Sequence, residues 1–151
     1  MSRTLADIAE AMRDIDFAML VTHGPDGALA ARPMSNNREV AFDGDSFYFT
    51  WADSLMVADI SRDSGVTLTF QGKAGLLGMR PFFVAVEGRA EIVRDRAQFA
   101  EHWNDELDRW FKQGIDTPNL AMIHVHAGRL SWWDGDEDGT LELADSAIAS
   151  G

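Results

Sequence analysis

The sequence predicts a mostly β domain with flanking helices, in which short antiparallel strands form a small barrel. Short apolar segments alternate with turn-forming residues, and the Asp43-Gly44 pair is typical of a hairpin because its glycine readily adopts a positive φ. Strands joined by hairpins favour an antiparallel barrel over a doubly wound parallel sheet. Hydrophobic residues make up 46% of the 151 residues and charged residues 25%, which is typical of one soluble globular domain.

The N-terminal elements are a helix and two hairpins. Apolar residues at helical spacing predict an amphipathic helix over residues 4–13, with Thr4 or Asp7 at its start. The first hairpin joins residues 17–21 to residues 28–33 through a glycine-rich turn. The second joins residues 40–42 to residues 47–50 through the Asp-Gly pair.

The rest of the chain adds two further helices and several short strands. Asp53 or Ser54 is expected to cap a helix that reaches residue 61, and Asp95 a helix that carries Trp103 and Trp110. The strands are predicted at residues 66–70, 82–87, 89–93, 122–125 and 129–133. Gly88 is expected to form a bulge or kink between two of them.

Composition excludes several classes of function. The formal net charge is −12, so the surface repels nucleic acid and anionic membranes, and we expect neither as a partner. The absence of cysteine excludes disulfides, thiolate metal sites and cysteine nucleophiles. No apolar run is long enough to cross a membrane and no signal peptide is evident, so we expect a cytoplasmic protein.

Four stretches hold residues suited to binding a cofactor. They are Ala31-Arg32-Pro33-Met34, residues 47–54, residues 86–91 and an aromatic-rich segment over residues 103–134. In their order and spacing they resemble the general stress protein branch of the pyridoxamine 5′-phosphate oxidase-like, FMN-binding split barrels, from about Thr4 to Asp134. The resemblance implies a split β-barrel that works as a homodimer and binds FMN at the subunit interface.

The resemblance also implies a set of cofactor-binding residues. FMN carries a dianionic phosphate, which favours a guanidinium, hydroxyl groups and a helix N-terminus. Arg32 would be its bidentate partner, Thr50 and Ser54 would supply hydroxyls, and Met34 would run along the ring. The full set is Arg32, Pro33, Met34, Phe49, Thr50, Ser54, Met56, Gln71, Lys73 and Trp132, the last of these acting across the dimer interface.

One position departs from the family pattern. Two residues after Ser54 the family usually has a basic residue that touches the phosphate, and this chain has Met56. A lost charge-assisted contact costs about 1.5–3 kcal/mol, so we expect weak FMN binding. Lys73 or Arg80, in the glycine-rich loop, would be the substitute cation.

Each of these residues also has an ordinary structural interpretation. Arg32 would form a surface ion pair, Ser54 would cap a helix, and Trp103 and Trp110 would belong to the core or to a subunit interface. A homodimer is expected because a monomer would expose a large apolar patch. That patch would comprise Trp110, Phe111, Trp132 and Trp133.

We expect no metal site. His124 and His126 alternate along one strand, but the sequence shows no acidic or third histidine partner beside them. The segment that begins Asp134-Gly135-Asp136 nearly fits a calcium-binding EF-hand loop, yet it follows a predicted strand and no exit helix fits after it. We therefore expect a single split-barrel domain over residues 1–135 and an acidic, flexible tail over residues 136–151.

The function that these inferences favour is an FMN-binding protein of the oxidoreductase type, with a nicotinamide nucleotide or another small molecule as its reaction partner. No nucleophile–base–acid arrangement is visible, so the flavin would carry the chemistry. A true pyridoxamine phosphate oxidase would need a second set of basic residues, which this chain lacks. The alternatives are a non-catalytic flavin-binding or flavin-sensing stress protein, and a structural dimer that has lost the cofactor.

Overall fold

A computed structural model describes residues 3–36, 42–72 and 81–143. Within these ranges the strands form one antiparallel sheet in the order β2-β1-β4-β5-β6-β3, with β7 paired to β6. The strands are β1 (Phe17–His23), β2 (Leu29–Ser35), β3 (Asp45–Trp51), β4 (Gly65–Gln71), β5 (Phe82–Val93), β6 (Leu120–Asp134) and β7 (Glu137–Glu142). The predicted class, a mostly antiparallel split barrel with flanking helices, is confirmed.

Short helices flank this sheet. They are α1 (Leu5–Met12), α2 (Leu55–Arg62), α3 (Arg96–His102) and two 3-10 helices, Asp105–Arg109 and Gly114–Asp116. The predicted caps are confirmed: Thr4 accepts a hydrogen bond from the Asp7 amide, Ser54 from that of Val57, and Asp95 from that of Ala97. None of the described helices has the length and apolar character needed to cross a bilayer.

The first predicted hairpin is confirmed, since β1 and β2 pair in register from Phe17 opposite Ser35 to His23 opposite Leu29. The second hairpin is predicted partly from residues 40–41, which lie outside the described ranges. Its other strand, β3, pairs with β6 at the far end of the sheet. Pairing with a late strand leaves β3 at one edge of the sheet and β2 at the other.

The helix predicted from Asp95 is shorter than expected. It ends at His102, and the chain is extended at Trp103 before the 3-10 helix begins. Asn104 starts that helix by accepting a hydrogen bond from the Glu106 amide. An asparagine side chain that bonds a backbone amide two residues later favours a new start over continuation of a helix.

The last two predicted strands are one long strand, β6, which pairs with β5 along its length. The register shifts at Glu87 and Gly88, which confirms the predicted irregularity there. A Cβ atom on Gly88 would lie 2.1 Å from the carbonyl oxygen of His126, so glycine is needed for the strands to approach. This register shift therefore determines which residues of β5 lie opposite His124 and His126 of β6.

The prediction of a flexible tail from residue 136 is wrong for residues 137–142, which form β7. A turn at Gly135, which has φ of 63°, returns the chain to pair with β6. Despite the acidic composition of this segment, Gly139 lies against Trp132 of β6 and Leu141, two residues later on the same face, packs on the core. This strand pairing also excludes an EF-hand loop, and residues 144–151 lie outside the described ranges.

Two apolar clusters stabilise the fold. The larger fills the curved inner face of the sheet and includes Leu20, Leu68, Val86 and Leu130, which are all fully buried. The smaller lies on the other face of β3 and β6, where α3 and the 3-10 helix cover Phe49. The edge strand β3 therefore has apolar packing on both of its faces.

Candidate functional site

A cavity of about 410 Å³ lies between the two edge strands, β2 and β3. The segment after α3, together with Met56 of α2, completes its wall. Small-molecule sites in proteins have volumes of about 300–1,000 Å³. The cavity is therefore large enough for a ligand with several rings.

The cavity follows the edges of the strands rather than one face of the sheet. Residues 32–35 of β2 and residues 47–51 of β3 line it without a gap. Successive strand side chains point to opposite faces, so consecutive residues share a cavity only along an edge. No ladder joins β2 to β3 in the described ranges, and edge strands carry unpaired backbone N–H and C=O groups. Such groups can bind the polar rim of a planar ligand.

Aromatic rings form much of the wall and the mouth. Phe49 is buried, whereas Phe17, Trp51 and Trp110 lie at the mouth and are 53%, 43% and 55% exposed. Trp51 packs against Phe111 with ring centroids 5.1 Å apart. Exposed aromatic rings around an apolar cavity are typical of a ligand site or a subunit interface.

Arg32 lines the cavity, but its guanidinium already has protein partners. It donates a hydrogen bond to the Thr22 hydroxyl at 2.7 Å and lies 3.7 Å from the Asp59 carboxylate. Asp59 also accepts hydrogen bonds from Thr22 and from Arg62, both within 2.9 Å. The Arg32 side chain remains 23% exposed, so a ligand phosphate can reach it only while sharing it with Asp59.

The charge state of Asp59 follows from these contacts. Burial would raise the pKa of its carboxyl, but hydrogen bonds from Arg62 and Thr22 and the charges of both arginines lower it more. The pKa of Asp59 therefore lies below its usual value of 3.8. The carboxylate is ionised at neutral pH and holds the two arginines beside each other.

The structure brings most of the predicted cofactor residues to this cavity. Arg32, Pro33, Met34, Phe49, Thr50 and Met56 all line it. Met56 is 5% exposed and belongs both to the larger core and to the cavity wall. It therefore presents an apolar surface at the position to which the resemblance assigns a basic residue.

Three other predicted residues lie outside the cavity lining, and one lies outside the described ranges. Ser54 caps α2, and Gln71 lies exposed on the outer face of the sheet. Trp132 is 3% exposed, with the Arg3 guanidinium 4.9 Å from its ring centroid. Lys73, like Arg80, belongs to residues 73–80, which are not described.

The exposed apolar patch expected from the sequence is only half present. Trp110 and Trp133 are exposed, whereas Phe111 and Trp132 are buried. Phe111 packs into the smaller cluster, and Trp132 lies under β7, which the sequence analysis did not predict. A homodimer therefore needs another surface than the one first expected.

Several lining residues were not among the predicted cofactor residues, namely Phe17, Tyr48, His102 and Asn104, although Tyr48 and Asn104 lie within the stretches singled out from the sequence. Burial raises the pKa of the Tyr48 hydroxyl to about 12, so it stays protonated at neutral pH. Asn104 was detectable, because an asparagine before two acidic residues is a typical helix start. Phe17 and Tyr48 reach the cavity through the order of the strands, and His102 through the packing of α3, and local patterns encode neither.

The structure also contradicts the expectation that His124 and His126 have no acidic neighbours. Asp45 of β3 and Glu91 of β5 lie on either side of the two rings, with every ring nitrogen within 3.3 Å of a carboxylate oxygen. Asp45 stands opposite His126 and Glu91 opposite His124 in the strand ladders. The pairing of β3 with β6 creates this cluster.

Comparisons with known proteins agree with this architecture. A profile of the family described as pyridoxamine 5′-phosphate oxidase like matches residues 3–150. No curated protein matches the chain. A Clostridium acetobutylicum protein related to general stress protein 26 of the pyridoxinephosphate oxidase family is 20% identical, with 92% of this chain and 94% of that chain covered and a TM-score of 0.77.

Two further solved structures share the fold. General stress protein 26 of Bacillus anthracis is 21% identical, with 92% of this chain and 98% of that chain covered and a TM-score of 0.72. A haem-binding protein of Mycobacterium smegmatis is 14% identical, with 94% of this chain and 59% of that chain covered and a TM-score of 0.73. At such identities the three structures establish the fold and leave the ligand open.

Proposed function

The chain belongs to the pyridoxamine 5′-phosphate oxidase-like family, and from that membership we propose that it binds FMN in the cavity between β2 and β3 and acts as a flavin-dependent oxidoreductase. The observation that carries the proposal is the position of the cavity along two unpaired strand edges with aromatic walls. We also propose a cytoplasmic location, because a chain without cysteine forms none of the disulfides that are typical of proteins in oxidising compartments.

The ring of a flavin suits this cavity better than its phosphate does. Apolar and aromatic walls favour the flat isoalloxazine, and the strand edges supply hydrogen-bonding groups for its polar rim. The phosphate would meet Arg32, which shares its charge with Asp59, and the hydroxyl of Thr50. We therefore expect the ring to contribute most of the binding free energy. FMN should bind only slightly more tightly than riboflavin.

Redox chemistry at this site would come from the bound flavin. None of the described lining residues is a carboxylate, Tyr48 stays protonated at neutral pH, and His102 is the one histidine among them. The chain would orient the ring, exclude water and admit a reductant such as a nicotinamide nucleotide. The same scarcity of proton-transfer groups supports the second candidate, a flavin-binding protein without catalysis.

A homodimer would place a second copy beside the cavity, and members of this family are typically dimers. The outer face of the sheet carries a row of uncharged side chains on neighbouring strands. They are Pro33, Met19, Thr69, Ala85, Ser131 and Thr140. Pro33 also lines the cavity, so a partner seated on this row would cover its open side.

Titration of the ligand-free protein with flavin tests the proposal. Binding quenches flavin fluorescence when a tryptophan lies near the ring, so FMN and riboflavin should both be quenched at saturating protein. Trp110→Ala removes an aromatic ring from the mouth of the cavity. It should weaken the binding of both flavins by about 1–3 kcal/mol, the effect expected for one aromatic contact. Leu29→Ala, which changes an exposed apolar residue outside the lining, is the control.

The remaining functions give different outcomes in the same assay. Rapid anaerobic bleaching of bound flavin by NADH or NADPH supports the enzyme, and bound flavin that resists both supports the non-catalytic protein. Haem is titrated in parallel, because one structural neighbour binds it and His102 lines the cavity. Failure to bind either flavin would overturn the proposal. Haem binding alone would then indicate a haem protein, and binding of neither ligand would leave the structural dimer.

A further inference from the structure

We propose that Asp45, His124 and His126 form a site for a divalent transition metal of the zinc class, with Glu91 orienting the two histidines. The three side chains lie on neighbouring strands at the β3–β6 end of the sheet, and their candidate ligand atoms are all within 4.8 Å of one another. The site is separate from the proposed flavin function and rests on different residues.

The distances suit tetrahedral coordination. The Asp45 Oδ1 atom lies 3.1 Å from His124 Nε2 and 2.9 Å from His126 Nδ1. Ligands bound to zinc at about 2.0–2.1 Å in a tetrahedron are about 3.3 Å apart, so the Asp45 carboxylate lies at a suitable distance from both rings. The two imidazole nitrogens, which lie within 4.8 Å of each other, would close on the ion. Asp45 and His126 stand directly opposite each other on β3 and β6.

The opposite edges of both rings meet a second carboxylate. The Glu91 Oε1 atom lies 3.2 Å from His124 Nδ1 and 3.3 Å from His126 Nε2. Histidines that bind metals usually donate their other N–H to a carboxylate or carbonyl, which fixes the tautomer and makes the ligand more basic. Glu91 is placed to accept both of these N–H groups.

The state of His126 Nδ1 supports the assignment. This atom is buried and makes no well-directed hydrogen bond within the described part of the chain, although Asp45 is close to it. A buried polar atom without a hydrogen bond is costly and is usually explained by a ligand, an ion or water. A metal ion between His126 and Asp45 would satisfy both groups.

The cluster is held on strands and is partly shielded from water. The side chains of His124 and His126 are 17% and 15% exposed, and Phe47 stacks on His124 with ring centroids 4.3 Å apart. Ligands that are held on strands keep their geometry better than ligands on loops. Arg89, which lies opposite His126, is exposed, so water screens its charge.

The donor set selects the class of metal. Two imidazole nitrogens with one carboxylate favour zinc, cobalt, nickel or copper, whereas calcium and magnesium prefer all-oxygen sites. Three protein ligands leave a fourth position for water. The alternative explanation is a pair of histidine–carboxylate ion pairs that bind no metal.

Titration of tag-free, chelator-treated protein with Zn²⁺ and Co²⁺ tests the proposal. We expect one Zn²⁺ per chain, a rise in melting temperature with Zn²⁺ and no response to Mg²⁺ or Ca²⁺. Tetrahedral Co²⁺ gives an intense visible absorption, which reports the geometry without any activity assay. Because the protein contains no flavin in this test, its outcome does not depend on the proposed function.

Variants locate the ion. His126→Gln and Asp45→Asn should each abolish stoichiometric binding, and Glu91→Gln should weaken it by about tenfold to a hundredfold, the usual effect of losing an outer partner. His23→Gln changes a half-buried histidine outside the cluster and should bind as the wild type does. Wild-type protein without stoichiometric Zn²⁺, or folded His126→Gln and Asp45→Asn variants with unchanged affinity, would overturn the proposal.

Discussion

At the residue scale, Arg32 and Met56 determine how an anionic ligand end would be held. Arg32 supplies the positive charge, but Asp59 already neutralises part of it. Met56 closes the same wall with an apolar side chain. A ligand phosphate that shares Arg32 with the Asp59 carboxylate gains less binding free energy than one that meets an unpaired guanidinium. Arg32 and Met56 together therefore reduce the preference for a phosphate-bearing ligand.

Met56→Lys tests that interpretation. Because Met56 is 5% exposed, we expect the ligand-free variant to melt at a lower temperature than the wild type. FMN should raise the melting temperature of the variant back toward that of the wild type, and it should bind more tightly by about tenfold or more, because one charge-assisted contact is restored. Riboflavin, which has no phosphate, should show neither effect. Melting curves with each flavin measure both effects. Met56→Leu is the matched control, and an equal effect of the two flavins on Met56→Lys would show that the phosphate lies elsewhere.

Asp59 predicts a pH dependence of stability. Its pKa is lowered in the folded state, so its stabilising effect is complete above the unfolded value near 3.8 and is lost as the pH falls through the lower folded value. Asp59→Asn should therefore destabilise the protein most at neutral pH, and the difference should shrink below about pH 4. Urea unfolding of both proteins from pH 7 to pH 3 measures this, and a constant difference across that range would contradict it.

At the element scale, the sequence predicted the elements with local signals and missed those defined by distant pairing. Thr4, Ser54 and Asp95 mark helix starts because a capping side chain acts within three residues. The strand β7 has an acidic, glycine-containing sequence, and only its pairing with β6 makes it a strand. The cavity residues of β2 were predicted from the family resemblance, whereas the contributions of Phe17 and His102, which depend on how distant elements are arranged, were not.

Gly139→Ala tests the role of β7 as the cover of Trp132. A Cβ atom at this position would lie 2.6 Å from the indole ring of Trp132, so the ring or the strand must move. Overpacking of this kind costs about 1–3 kcal/mol, and we expect that loss in urea unfolding together with a red shift of tryptophan emission. Gly65→Ala, where the new atom makes an ordinary contact, should stay within about 0.5 kcal/mol of the wild type.

At the scale of the whole molecule, the sheet has one face filled by the core and another face only partly covered. Phe83 and Trp133 stand opposite each other on that outer face and are 36% and 44% exposed. They lie on the row next to the uncharged row that contains Met19 and Ala85. The Glu87–Arg129 ion pair lies on the row at the other side of that uncharged row. A largely uncharged surface of this kind, with Asp138 at its β7 end, is typical of an interface between copies.

Met19→Glu tests whether this face joins two copies. A stable homodimer buries about 1,200–2,000 Å² in total, and an unpaired carboxylate buried within that interface opposes association. We expect the wild type to be a dimer in light scattering at micromolar concentration and Met19→Glu to shift toward the monomer. Leu55→Glu places the same charge on an even more exposed apolar residue of α2 and should remain dimeric. A monomeric wild type would refute the dimer.

Phe47 belongs to two neighbourhoods at once. One side of its ring stacks on His102, with centroids 3.5 Å apart, and the other side stacks on His124. The first neighbour lines the cavity and the second belongs to the proposed metal site. A ligand in either site that shifts this ring changes the geometry of the other site. Thermodynamic reciprocity then requires that each ligand change the affinity of the other ligand by the same factor. The ring is thus a shared wall through which two chemically unrelated ligands would be energetically coupled.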